Sequence, residues 1–247
     1  MRIMMMHKTN PRNEAGVPPS PELMARMGAL LGEIAQAGVL LAGEGLRQSA
    51  LGVRLHFSGG KRTITKGPFT PSNELIDRYL IVRVPSIEDA IEWATRFAGE
   101  GADAEIDVRP VTEAWDIGMM PRPADATETR FMIAHKADRA SESATRPTAE
   151  TRAAIAAVSG DTSGALLMAE ALQPSSKSLR VRFSGAKHTV IDGPFAESKE
   201  LIAGFVIFEL PSKEDAIQYA IPFAAALNED VEVDIRPMYE REELRLE

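Results

Sequence analysis

Two histidines in this 247-residue chain stand in matching surroundings, His7 in "RIMMMHK" and His135 in "RFMIAHK". An imidazole exchanges its proton near neutral pH, so each could serve as a general acid or base. Two glutamates also match, Glu44 in "LAGEGL" and Glu170 in "LMAEAL". A carboxylate inside an apolar run is costly if buried alone, so each either faces a pocket as a base or meets a cation. Arg109 in "DVRP" and Arg236 in "DIRP" bring a planar fork that suits a carboxylate or phosphate. Asp192 precedes a Gly-Pro-Phe block whose other copy has Lys66 at that place. His7, His135, Asp192, Glu44 and Glu170 are therefore the candidates for acid–base work, and Arg109 and Arg236 for holding an anion. Each has a structural reading beside the chemical one. The histidines can be strand-end polar residues, and the glutamates can form ion pairs with Arg109 and Arg236. Asp192 can hold a turn ahead of Gly193 and Pro194.

Other chemistry is excluded by what the chain lacks. It has no cysteine, which removes disulfides, thiol nucleophiles and cysteine-type zinc sites. His56 and His188 have arginines at the matching places of the other copy and alternate outward on strands. Four scattered histidines show no metal-binding spacing. No phosphate-binding loop or dinucleotide fingerprint occurs, so neither metal nor cofactor is expected. The net charge of −8 argues against direct binding to nucleic acid or an anionic membrane. No apolar run approaches the ~20 residues of a spanning helix, and the N-terminal apolar run is too short for a signal peptide. The expected setting is the cytoplasm.

The elements that must position these residues occur twice. Lys66–Phe97 aligns with Asp192–Phe223 without a gap, and 16 of the 32 positions are identical. Outside that block, "GVRLHFSGGK" meets "SLRVRFSGAK" and "EIDVRP" meets "EVDIRP". The chain thus divides into a first repeat over 1–112, a linker over 113–128 and a second repeat over 129–247. In the first repeat a strand over Ile3–His7 precedes a helix, with Ser20 as its cap and Pro21 in its first turn. "VLLAGEGL" continues as extended chain. Val53, Leu55 and Phe57 alternate with polar residues as a half-buried strand, and Gly59-Gly60 turns it into a hairpin. Arg78–Val84 is a further strand. Pro85 ends it, and Ser86 caps a helix with Ala90, Ile91, Ala94 and Phe97 on its apolar face. Ala104–Pro110 closes the unit as a strand.

This order predicts an α+β protein of two tandem ferredoxin-like repeats. Helices cover one face of each antiparallel sheet. The other face needs a cover, and the second repeat's sheet supplies one. The expectation is an intrachain pseudo-dimer, sheet against sheet, with a further homodimer left open.

The succession "AGVLLAGEGL", hairpin, "DGPFAESKE", "PSKEDAIQYA" and "VDIRP" resembles the YCII-related family in its DGPF-domain branch, over nearly the whole chain and twice. The resemblance implies a dimeric α+β barrel. It also implies a suspected enzymatic role resting on a His–Asp pair, or a regulatory role near sigma factors. The chain departs from the family pattern at Lys66. It also lacks the family's histidine near the start of the first helix, where Glu22 and Glu150 stand, and has no Asp-Pro motif after the second helix. The expectation is a pocket for a small, anionic molecule in each repeat, with His and carboxylate acid–base chemistry. The alternative is a non-catalytic regulatory or interaction module linked to transcription.

Overall fold

The computed structural model describes residues 1–70, 72–99, 101, 103–185, 187–195 and 198–246. Ala196 and Glu197 of the second Gly-Pro-Phe block, and Ala186 of the second hairpin turn, lie outside the described residues.

The first repeat forms β1 (Arg2–Lys8), α1 (Pro11–Glu14), α2 (Pro21–Gln36), β2 (Leu40–Gly45), β3 (Val53–Ser58), β4 (Lys61–Lys66), β5 (Ile76–Val84), α3 (Ile87–Ala98) and β6 (Ala104–Pro110). The second forms β7 (Thr129–Lys136), α4 (Arg139–Ser143), α5 (Ala149–Ser159), β8 (Leu166–Ala171), β9 (Leu179–Ser184), β10 (Lys187–Asp192), β11 (Ile202–Glu209), α6 (Ile217–Leu227) and β12 (Val231–Pro237). Local chemistry sets the helix starts. The Ser20 side chain accepts a bond from the Leu23 N–H with Pro21 behind it, and Ser86 accepts from the Asp89 N–H.

The strands form two six-stranded antiparallel sheets, in the orders β10-β9-β12-β1-β11-β2 and β4-β3-β6-β7-β5-β8. This corrects the expectation that each repeat builds its own sheet. The first two strands of each repeat join the last four of the other. The strands of the two copies share the same apolar pattern, so alternation specifies which face is buried but not which copy supplies the neighbour. The chain crosses over after β2. There Leu46 bridges Val111, and the Arg47 N–H donates to Pro110 O at 3.0 Å.

The central strands are buried on both faces. Along β1, Ile3 and Met5 join a cluster with Leu30 and Ile34 of α2 and Phe223 of α6. Along β5, Leu80, Val82 and Val84 join α3 and α5 in the same way. The alternate residues Met4, Met6, Tyr79, Ile81, Phe205 and Ile207 form a third cluster drawn from both sheets. In it the Tyr79 and Phe205 rings lie 5.6 Å apart. Each fully buried side chain of this size contributes roughly 1.5–3 kcal/mol. The strands bearing the two histidines, β1 and β7, therefore sit on rigid ground.

Candidate functional site

His135, at the end of β7, is the centre of a buried polar cluster. Its neighbour β5 carries an irregularity there: Ile76 opposes Lys136 and Arg78 opposes His135, leaving Asp77 as the extra residue. Adjacent strand residues ordinarily face opposite ways, and a bulge re-aims one of them. Asp77 and Arg78 consequently both reach the same imidazole. His135 Nδ1 lies 2.9 Å from Asp77 Oδ1 and 2.8 Å from Lys136 O, and Nε2 lies 2.7 Å from Arg78 Nη2. A guanidinium only donates, so Nε2 accepts and Nδ1 carries the proton toward Asp77. Arg78 also donates to Asp77 Oδ2 at 2.8 Å and to Glu150 Oε1, in the first turn of α5, at 2.9 Å. Burial pushes the Asp77 carboxyl up, but His135 and Arg78 outweigh burial and hold it below the ordinary aspartate range.

His7 ends β1 in the equivalent setting with different neighbours. The same irregularity recurs: His7 opposes Gly204 and Lys8 opposes Ile202, so Ala203 takes the place of Asp77 and Gly204 that of Arg78. The backbone is close here. A Cβ on Gly204 would fall 2.7 Å from Glu44 O and 2.9 Å from His7 Cε1. Half-buried against the Phe223 ring at 5.1 Å, His7 has, among the described residues, no carboxylate bonded to it as Asp77 is to His135. Burial, opposed only by a backbone bond to Gly204, pushes its pKa down to about 4. The imidazole is therefore neutral at pH 7, an acceptor and weak base rather than an acid.

A cleft of about 490 Å³ opens between His7 and the start of α2, bounded by Ser20, Leu23 and Ala203 and by Arg12, Arg26 and Arg47. Relative to its histidine and helix, this is the place that the Arg78 guanidinium takes between His135 and α5. The repeat implies a pair of pockets; the structure instead has a cleft on one side and Arg78 on the other. Arg26 Nε donates to Ala226 O at 2.8 Å, and Arg47 lies 3.2 Å from Asp116. The matching residues in the other copy are Ala140, Ala154 and Gln173, none of them charged.

The remaining sequence candidates are held elsewhere. Glu44 meets Arg130 at 2.5 Å and Glu170 meets Arg2 at 2.6 Å. Their ion partners are thus the first-strand arginines of the opposite repeats, which corrects the expected pairing with Arg109 and Arg236. Burial raises the Glu44 carboxyl against the pull of Arg130. Arg109 is buried and donates to Ile202 O at 2.6 Å and Arg47 O at 2.5 Å. Arg236 donates likewise to Ile76 O at 2.5 Å and Gln173 O at 2.5 Å. Both arginines tie one sheet to the main chain of the other, and backbone carbonyls stand where a ligand anion was expected. Asp192 is exposed at the end of β10, opposite Leu179.

The Gly-Pro-Phe blocks are packing devices in both copies. A Cβ on Gly67 would lie 1.8 Å from Ser49 O, and one on Gly193 1.7 Å from Ser175 O. The Phe69 and Phe195 N–H groups donate to the Ser49 and Ser175 hydroxyls at 3.2 and 3.1 Å. Arg54 lies over the Phe69 ring at 4.7 Å and Arg180 over Phe195 at 4.2 Å. Behind them run buried charge networks. Arg54 binds Asp107 at 2.6 Å and Glu74 at 3.0 Å, and Lys136 joins both carboxylates, reaching Asp107 at 2.8 Å. In the other network Arg180 and Lys8 each bind Asp234 at 2.7 Å. Burial raises all three carboxyls, yet their cations hold them below the ordinary range, with Lys136 foremost for Glu74 and Asp107 and Lys8 for Asp234.

Sequence reasoning missed Asp77, Arg78, Lys8 and Lys136. A usable signal for the first two was present: inside otherwise matching strands, "DR" of one copy is "AG" in the other.

Two interlocked copies of one α+β unit, each with a histidine at a bulged strand end, define a duplicated domain of a single class. The YCII-related domain matches residues 1–113 and again 129–238, and the chain belongs to that family. It is also similar to a protein of Rhizobium meliloti (strain 1021) named Uncharacterized protein R00369, at 31% identity over 67 residues. The shared stretch is 27% of this chain and 54% of that protein, so the chain spans about half the length of this relative. No solved structure matches. Among the described residues, no helix is long and apolar enough to cross a membrane.

Proposed function

We propose that this chain, read as a member of the DGPF branch whose sheets close on each other as an α+β barrel, binds one small anionic molecule in the cleft beside His7. The carrying observation is the cleft itself: Arg12, Arg26 and Arg47 line it beside Asp116 and Glu229, and the residues matching the three arginines in the other copy are uncharged. The N-terminal turn of α2 adds its partial positive charge at the same wall. Arg12 and Arg26 orient the anion, and neutral His7 accepts a hydrogen bond from the bound molecule. The depressed His7 pKa keeps the ring uncharged at pH 7, a hydrogen-bond acceptor and a poor acceptor of protons.

The test is calorimetry and thermal unfolding with inorganic phosphate and a panel of small mono- and dicarboxylates. A ligand that binds the folded state raises the unfolding temperature saturably. The expected result is saturable binding by at least one of these anions, weakened about tenfold or more in Arg12→Ala and Arg26→Ala. Binding unchanged in both variants, or no binding by any anion of the panel, refutes the reading.

A further inference from the structure

We infer that the His135–Asp77–Glu150 cluster is a binding site for a guanidinium-type cation, and that Arg78 of the same chain is its resident occupant. Every terminal nitrogen contact of Arg78 is of the type a recognition site supplies. Nη1 meets Asp77 Oδ2 at 2.8 Å, while Nη2 meets His135 Nε2 at 2.7 Å and Glu150 Oε1 at 2.9 Å. The Phe97 ring lies 5.6 Å from Cζ and offers its face to the cation. Among the described residues Nε is buried without a hydrogen-bond partner, as it is in Arg109 and Arg236, so the contacts at this site fall on the terminal nitrogens of the guanidinium. Arg78 is 2% exposed, although the Glu150 side chain that closes over it is 46% exposed. The site is shut by its own occupant.

The equivalent place beside His7 has no such occupant. Gly204 replaces Arg78, Ala203 replaces Asp77, and a cleft lies beside His7. Loss of both charges together fits a cation site, because removing the arginine alone leaves the buried Asp77 carboxylate with His135 but without its guanidinium. Arg12, Arg26 and Arg47 line that cleft beside Asp116 and Glu229. The two copies have therefore diverged, one filled by an internal cation and one open. Of the two histidines that end β1 and β7, only His7 borders a cleft, and His135 is buried.

The test uses the full chain with Arg78→Gly and the probe n-propylguanidinium, which is the deleted side chain from Cβ outward. Controls are n-propylammonium and sodium chloride at equal ionic strength. Calorimetry is expected to show saturable binding to Arg78→Gly, at least tenfold tighter than n-propylammonium, with recovery of most of the lost unfolding temperature. The double variant Asp77→Ala/Arg78→Gly copies the residues at 203 and 204, and it is expected to fold and to bind the probe at least tenfold more weakly. If Arg78→Gly does not fold in buffer, it is refolded with n-propylguanidinium present; recovery of the native circular dichroism supports the inference and failure overturns it. Equal binding of the probe by wild type, Arg78→Gly and the double variant also overturns it. This experiment is independent of the His7 reading, since an anion that fails to bind beside His7 leaves the guanidinium result unchanged.

Discussion

Lowering the pH from neutral should destabilise this protein through His7. The folded imidazole has a pKa of about 4, against 6.5 for the free group. The folded value lies below the unfolded one, so between the two the unfolded chain binds more protons. The stabilising contribution is complete above about pH 6.5 and is lost as the pH falls toward about 4. Each tenfold difference in proton affinity between the folded and unfolded chain is worth about 1.4 kcal/mol, and integration from about pH 7.5 to about pH 4.5 gives about 2.5 kcal/mol. His7 is half-buried at a cleft wall, and water there lowers the expectation to about 2 kcal/mol. The assay is urea unfolding of the wild type and of His7→Gln at both pH values. Taking the difference between the two proteins cancels the titration of every other group. The stability gap should shift against the wild type by about 2 kcal/mol on acidification. A gap that is the same at both pH values within about 0.5 kcal/mol, or an NMR titration of His7 with its midpoint near that of free imidazole, would refute the reasoning.

Two further predictions concern the scaffold. Lys136→Met leaves Glu74 and Asp107 buried with Arg54 as their remaining cation, and should cost about 3–5 kcal/mol in urea unfolding at neutral pH; a loss under about 1 kcal/mol would show that the network relaxes without it. Gly193→Ala puts a methyl group 1.7 Å from the Ser175 carbonyl oxygen and should cost about 2–3 kcal/mol, measurable as a lower unfolding temperature; an unchanged temperature would mean that the loop shifts freely.

Much of the architecture was legible along the chain because its causes are local. The duplication is written in matching residues. Ser20 with Pro21 and Ser86 mark helix starts by side-chain capping. The alternation in β3 reflects the fixed geometry of extended chain. The structural reading of the Gly-Pro-Phe block was likewise within reach, since Gly, Pro, Phe, Ser and Glu persist in both copies where Asp192 and Lys66 differ.

The site was less legible because it depends on distant contacts. His135, Asp77 and Glu150 come from three separate elements, and only a bulge in β5 aims both Asp77 and Arg78 at one ring. Alternation alone would have sent those neighbours to opposite faces. The sequence by itself determined that there are two copies, which elements each contains and where the histidines stand. Tertiary structure decided that each sheet takes strands from both copies, because strands with the same apolar alternation carry no label for their partner. It also decided which histidine faces open space. That choice rests on whether a guanidinium fills the gap between histidine and helix, as Arg78 does beside His135, or whether Gly204 leaves it unfilled, as beside His7.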